Sequence, residues 1–144
     1  MKSRLKVTHP GAKRQRIVTI EVPWIGPSGN QVWTGLHWGA RKKIADEGHL
    51  AVMLGVRLIP DCPHGFQPFT GPVSLEFQAY QTNLYDIINL AIPTCKVIED
   101  GLVRAGFLQG DDPKIVKRIT INCPVKVKPK ETRMEVIIRT MGEL

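Results

Sequence analysis

Between residues 86 and 112 the chain reads DIINLAIPTCKVIEDGLVRAGFLQGDD, and this stretch holds the side chains best suited to chemistry. Asp86 opens it, Asn89 follows, Lys96 falls in the first turn of an expected helix, and Asp111 with Asp112 closes it. Carboxylates far apart in sequence that flank one helix can meet at its end, and carboxylate oxygens gathered there suit a hard divalent cation. A lysine in the first turn of a helix opposes the helix dipole, which points to an anionic partner. A single aspartate of this kind is equally explained as a turn residue, since Asp bonds its own backbone. The ordered set is what suggests a hydrolytic metal site.

Periodicity supplies the elements that must position these residues. Residues 17–22, IVTIEV, are β-branched and alternate as a strand, ended by Pro23, which lacks a backbone donor. The loop PWIGPSGNQVWTG has no Lys followed by Ser or Thr at phosphate-loop spacing, which argues against a nucleotide cradle. Trp24, Trp33 and Trp38, in or beside it, either cap the core or stack on unpaired bases. From about Trp38 to Leu58 the pattern predicts a helix. Ala40, Ile44, Leu50, Ala51, Leu54 and Leu58 form a broad apolar face, Arg41, Lys42, Lys43, Asp46 and Glu47 an outer one, and Gly48 and Gly55 weaken it. The three cations in its first turns fit either a phosphate partner or a solvated face.

Residues 59–72, rich in Pro and Gly, read as a loop. VSLEFQAY, 73–80, alternates strictly: Val73, Leu75, Phe77 and Ala79 face one side, Ser74, Glu76, Gln78 and Tyr80 the other. Pro93 suits the first position of a helix over 93–105. In that helix Ile98, Leu102 and Ala105 form the inner row, Lys96, Asp100 and Arg104 the outer row, and Gly106 the left-handed cap. A strand over 115–123 places Ile115, Lys117, Ile119, Ile121 and Cys123 on one face. Lys126, Lys128 and Lys130 alternate around Pro124 and Pro129, and MEVIIRT ends the order with a last strand. Strand, helix, strand, helix, strand, strand predicts a single-domain α/β (α+β) fold. It consists of a mixed sheet of about four to five strands with two main helices packed on it.

The net charge of +7 is concentrated in a basic arm, residues 1–16, which carries six cations and no acid and, lacking periodicity, is expected to be flexible; residues 17–144 are expected to form the folded domain. Such an arm binds nucleic-acid phosphates by counterion release or serves as a solubilising tail. No stretch is long and apolar enough for a membrane span, and no apolar region follows the basic N-terminus to mark it for secretion. Three widely spaced cysteines, Cys62, Cys95 and Cys123, fit reduced thiols in a cytoplasmic setting. Cys62 and His64 lack a second soft pair at zinc spacing, and His37 and His49 lack the paired-histidine helix signature.

The order Asp86, Asn89-Leu90, Lys96, Asp100-Gly101-Leu102, Ala105-Gly106-Phe107, Asp111-Asp112 resembles the RusA-type Holliday junction resolvases, especially the phage-type members. A weaker likeness lies at VPW near the start, and another carries on to RTMGEL at the end. The resemblance implies a homodimeric, Mg²⁺-dependent endonuclease (Mn²⁺ as a substitute) that cuts four-way DNA junctions by paired nicks in recombination and repair, inside a bacterial or phage-infected cell. Carried over, Asp86 and Asp112 are metal-binding carboxylates with Asp111 beside them, Lys96 contacts the phosphate or the attacking water, and Asn89 shapes the turn that presents them. Lys13, Arg14, Arg16, Arg41, Lys42, Lys43 and Lys96 are then the expected DNA contacts. The chain departs from the family pattern of Asp, any residue, Asp, Asn at Ile88, which cannot ligate a metal. Either Asp111, Glu99 or Asp100 substitutes for the missing carboxylate, or cleavage is weak or lost while junction binding survives.

Overall fold

Alternation builds the sheet, and a computed structural model of the chain describes residues 3–6, 15–33, 37–59 and 67–141 of it. In strand β3 (Val73–Gln81) Val73, Leu75, Phe77 and Ala79 are buried while the polar residues between them stay half-exposed, as the sequence predicts. Strand β6 (Arg133–Thr140) buries Met134, Val136 and Ile138, and β2 (Gln15–Val22) buries Val18, Ile20 and Val22. Apart from Ala79, each such side chain contributes about 1.5–3 kcal/mol by leaving water.

With β1 (Ser3–Lys6) and β4 (Val116–Ile121) the strands run in the order β1-β2-β6-β3-β4. All pairings are antiparallel except β3 with β4, and the two-residue β5 (Val125–Lys126) also runs parallel to β3, beside Tyr80 and Gln81. A parallel pair cannot be closed by a hairpin. Residues 82–115 therefore cross over from β3 to β4, and the candidate site lies on that crossover.

Composition sets residues 1–16 apart as an arm, yet Ser3–Lys6 pairs with Gln15–Val18 and supplies an edge strand. The strand β2 accordingly starts at Gln15, two residues before the alternation becomes legible. At β4 the expected single face for Ile115, Lys117, Ile119 and Ile121 is broken by a register shift. Val73 pairs with Val116, but Ser74 pairs with Arg118, so Lys117 is the extra residue. The bulge puts Val116 on the same side as Ile119 and Ile121, opposite the buried Val73, Leu75 and Phe77.

One face of the sheet is covered by helix α2 (Trp38–Arg57) with helix α4 (Lys96–Arg104) packed against it. The sequence places Leu50, Leu54 and Leu58 on the inner side of α2, and the structure reverses this. Gly48, Ala51, Val52, Gly55 and Val56 are buried, while Leu50, Met53, Leu54 and Leu58 face outward. Close approach explains it. A Cβ at Gly48 would collide with Val97 of α4 and with Trp24, and one at Gly55 with the backbone oxygen of Glu21 in β2. The two glycines that weaken the helix by propensity are what let it lie flat on its neighbours.

The opposite face of the sheet is polar. Glu76 accepts a hydrogen bond from Arg139 at 2.7 Å and one from Asn122 at 2.8 Å, and the Arg133 guanidinium lies 4.0 Å from the Tyr80 ring centroid. Among the described residues no helix is long and apolar enough to cross a membrane.

Candidate functional site

The crossover begins with a short helix, α3 (Ile87–Leu90), followed by an irregular turn, Ala91–Cys95. Ile92, at φ −134° and ψ 123°, is extended, as a residue before proline tends to be. Helical backbone resumes at Pro93 and leads into α4. Buried Thr94 fixes this turn by accepting a hydrogen bond from the Gly26 N–H at 3.0 Å. Asn89 lies where helix α1 (Gly29–Trp33) abuts the turn: a Cβ on Gly29 would stand 2.9 Å from Asn89 Oδ1 and 2.8 Å from the Ile92 carbonyl.

Within α4, Lys96, Glu99 and Asp100 are spaced i, i+3, i+4 and so share one face. At its end Gly106 takes φ 77°, and the N–H groups of Phe107 and Leu108 both bond to the Leu102 carbonyl, at 3.0 and 3.3 Å. This cap turns the chain back, and the buried Phe107 and Leu108 anchor the returning segment. Asp111 is thereby carried to the helix face.

The result is a cluster centred on one ammonium group. Lys96 Nζ lies 3.0 Å from Asp111 Oδ2, 3.1 Å from Asp100 Oδ1 and 3.4 Å from Glu99 Oε1. The three carboxylates each offer an oxygen within 4.8 Å of the others, and they form the only such acidic group among the described residues. The hydrogen bond to Asp111, reinforced by Asp100 and Glu99, raises the Lys96 pKa well above its ordinary value. Lys96 in turn lowers that of Asp111. Glu99 moves the other way: burial raises its pKa, more than the attraction of Lys96 lowers it. The asymmetry has a physical cause, because Lys96 is half-exposed and meets three anions, whereas Glu99 is buried and shares one cation with two like charges. Next to it, buried Cys95 is pushed up to about 12, first by desolvation and then by the Glu99 charge, so it is an inert thiol.

Of the expected metal carboxylates, Asp111 lies in this cluster, and Asp86 and Asp112 are not members of it. Asp112 forms a turn before β4. Its Oδ1 accepts the Lys114 N–H at 2.8 Å, and its carbonyl accepts those of Ile115 and Val116 at 3.0 Å each. Asp86 precedes α3 and lines a shallow cleft of about 800 Å³ with Leu84, Tyr85, Ile87, Ile88, Cys123 and Pro124. Ile88 is 81% exposed. Glu99 and Asp100, which the sequence offers only as substitutes, complete the cluster; the signal that finds them is their i+3 and i+4 spacing from Lys96.

The expected DNA contacts divide. Arg41, Lys42 and Lys43 are exposed on α2, Lys42 in an ion pair with Asp46 at 3.2 Å. Arg16 instead lies over the Phe69 ring, 4.3 Å from its centroid, and donates to the Pro68 carbonyl at 3.3 Å. Lys13 and Arg14 lie outside the described residues. Six further cations, Lys114, Lys117, Arg118, Lys126, Lys128 and Lys130, are exposed on and around β4 and β5. Trp24 packs against the core and Trp38 is exposed, while the Trp33 side chain lies outside the described part. No protein-family model matches the chain, and a search of curated proteins finds no match.

Proposed function

We propose that this chain is a divalent-metal-dependent endonuclease acting on four-way DNA junctions, with Glu99, Asp100 and Asp111 as the metal-holding carboxylates. The supporting observation is the convergence of those three carboxylates on Lys96, inside the stretch whose motif order resembles the RusA-type resolvases. The donor set is chemically suitable: hard oxygens only, in excess over the single ammonium that balances them. Bound there, Mg²⁺ or Mn²⁺ would supply Lewis-acid polarisation of a phosphoryl oxygen and a water of lowered pKa.

The residues divide the remaining work. Lys96 is held as an ammonium, so its part is electrostatic: on a half-exposed, flexible stem it can turn from the carboxylates to a phosphoryl oxygen as charge develops there. It does not take a proton. Glu99, the buried member of the cluster, is one of the ligands that would hold the metal. The exposed cations of α2 and of the β4–β5 region supply the sequence-independent attraction for phosphates. The resemblance adds a homodimer, whose two-fold symmetry would match a junction's and place one site on each of two strands.

A second reading is a junction-binding protein that no longer cuts. It is favoured by Ile88, which stands exposed where the resemblance expects a carboxylate, and by Lys96, which already neutralises part of the cluster. Both readings meet one experiment: a labelled four-way junction and a linear duplex, in Mg²⁺ and in EDTA, with the unmodified protein and with Ile88→Asp. Metal-dependent paired nicks on the junction by the unmodified protein support the nuclease. Nicks only after Ile88→Asp select the binder, and neither nicks nor preferential junction binding removes both.

A further inference from the structure

The sheet ends at β4. The strand order leaves β4 with a neighbour on one side only, and among the described residues no strand pairs with its outer edge. Backbone N–H and C=O groups on that side are an open template for one more strand. Two rows of side chains run beside the template. Register with β3 sets Ile119 and Ile121 on the core side of the sheet, next to Leu75 and Phe77, and Arg118 and Thr120 on the polar side, next to Ser74 and Glu76. Leu75 is buried, but Ile119 beside it is 48% exposed, because no strand lies beyond β4 to cover it.

Charge marks the same edge. Residues 114–130 hold six cations, Lys114, Lys117, Arg118, Lys126, Lys128 and Lys130, and no acid. All six are exposed, and none takes part in an ion pair among the described residues. Cations and a bulge are the ordinary protection of an edge against its own kind, and a second β4 laid here would set basic side chains against basic ones. That protection does not act against a strand of opposite charge. We propose that this edge takes a short, extended acidic peptide from a partner protein, added to the sheet as a further strand. Its backbone pairs with the open side of β4, its apolar residues cover Ile119 and Ile121, and its carboxylates alternate with them to meet Arg118. Lys114 and Lys126 supply charge beyond the two ends of β4. Nucleic acid would use the cations but neither the open backbone nor the exposed Ile119, so the combination favours a peptide.

This inference stands apart from the nuclease reading, and its test does not measure cleavage. The probe is a fluorescein-labelled synthetic peptide alternating aspartate and valine, titrated with the full chain and read by fluorescence anisotropy. Saturable binding is expected, and Arg118→Glu should weaken it on the order of tenfold or more, with a melting temperature like the parent's because Arg118 is exposed. Lys126→Glu checks the charge dependence independently and should weaken it as well. Two altered peptides separate strand addition from charge alone. Lysine in place of aspartate should abolish binding, and prolines in place of the central valines, which remove backbone donors and keep every carboxylate, should weaken it on the order of tenfold or more. An aspartate peptide that does not bind overturns the proposal. Equal binding of the proline peptide also overturns it, since the edge would then be a general polyanion surface. Two results would assign the edge to another occupant and overturn it too: a single-stranded oligonucleotide bound through Arg118 where the peptide is not, or self-association of the chain that Arg118→Glu abolishes.

Discussion

Lys96 and Asp111 stand fifteen residues apart in the chain, and their charged groups meet at 3.0 Å. Both side chains are about half-exposed, so water screens this ion pair and it adds little to the stability of the fold. Its significance is that it marks where the segment after α4, turned back by the Gly106 cap, meets the helix face and adds a third carboxylate there.

Replacing the cation should turn that cluster into a stronger metal trap. Lys96→Met leaves Glu99, Asp100 and Asp111 repelling one another, so the variant should melt lower than the unmodified protein in EDTA. It should then gain more from added Mg²⁺. Binding to the folded state alone contributes about 2.7 kcal/mol at a hundredfold excess over Kd. Differential scanning fluorimetry with and without Mg²⁺ reads this, and a melt unmoved by Mg²⁺ in both proteins removes the cluster as a cation site.

Glu99→Gln should separate stability from chemistry. The fold raises the Glu99 pKa, so the folded state binds its proton more readily than the unfolded chain, and stability falls as pH rises from the unfolded value of 4.5 through the raised folded one. Glutamine has no such titration. The variant should therefore gain stability relative to the parent as pH rises through that window, while losing metal-dependent cleavage. Melts from pH 4 to pH 8 test it; a stability difference that does not move in the variant's favour as pH rises would contradict the sign.

Asp111→Asn and Asp112→Asn should behave differently. Asparagine at 112 keeps an oxygen to accept the Lys114 N–H, so the turn survives and cleavage should persist. Asparagine at 111 removes a charged ligand beside Lys96, and cleavage should fall by at least about a hundredfold, roughly 2.7 kcal/mol. Junction cleavage rates under identical Mg²⁺ decide it, and the reverse ranking would return Asp112 to the centre.

Gly55→Ala should destabilise the protein despite alanine's better helix propensity. The gain is about 1 kcal/mol, but the new Cβ collides with the Glu21 carbonyl of a paired strand and lies 3.0 Å from Ile20 Cγ2. Overpacking of this kind costs about 1–3 kcal/mol, and a neighbour that is backbone held in a sheet cannot give way, so the cost outweighs the gain. Urea denaturation reads the difference, and a stabilised variant would mean that α2 does not press on β2.

The sequence by itself determined the mixed sheet with two helices on it, because alternation in VSLEFQAY and the helical period of 38–58 and 93–105 are local properties of the chain. It also singled out the stretch from Asp86 to Asp112, on which Lys96, Glu99, Asp100 and Asp111 meet. Tertiary structure decided what periodicity does not encode. The choice of Gly48 and Gly55 as the inner face of α2 depends on how near α4 and β2 approach, and the phase of β4 depends on a bulge that only strand pairing reveals. The same holds at the site. The resemblance puts Asp112 ahead of Asp111, and only the path of the chain after Gly106 brings Asp111 to Lys96 while Asp112 closes a turn.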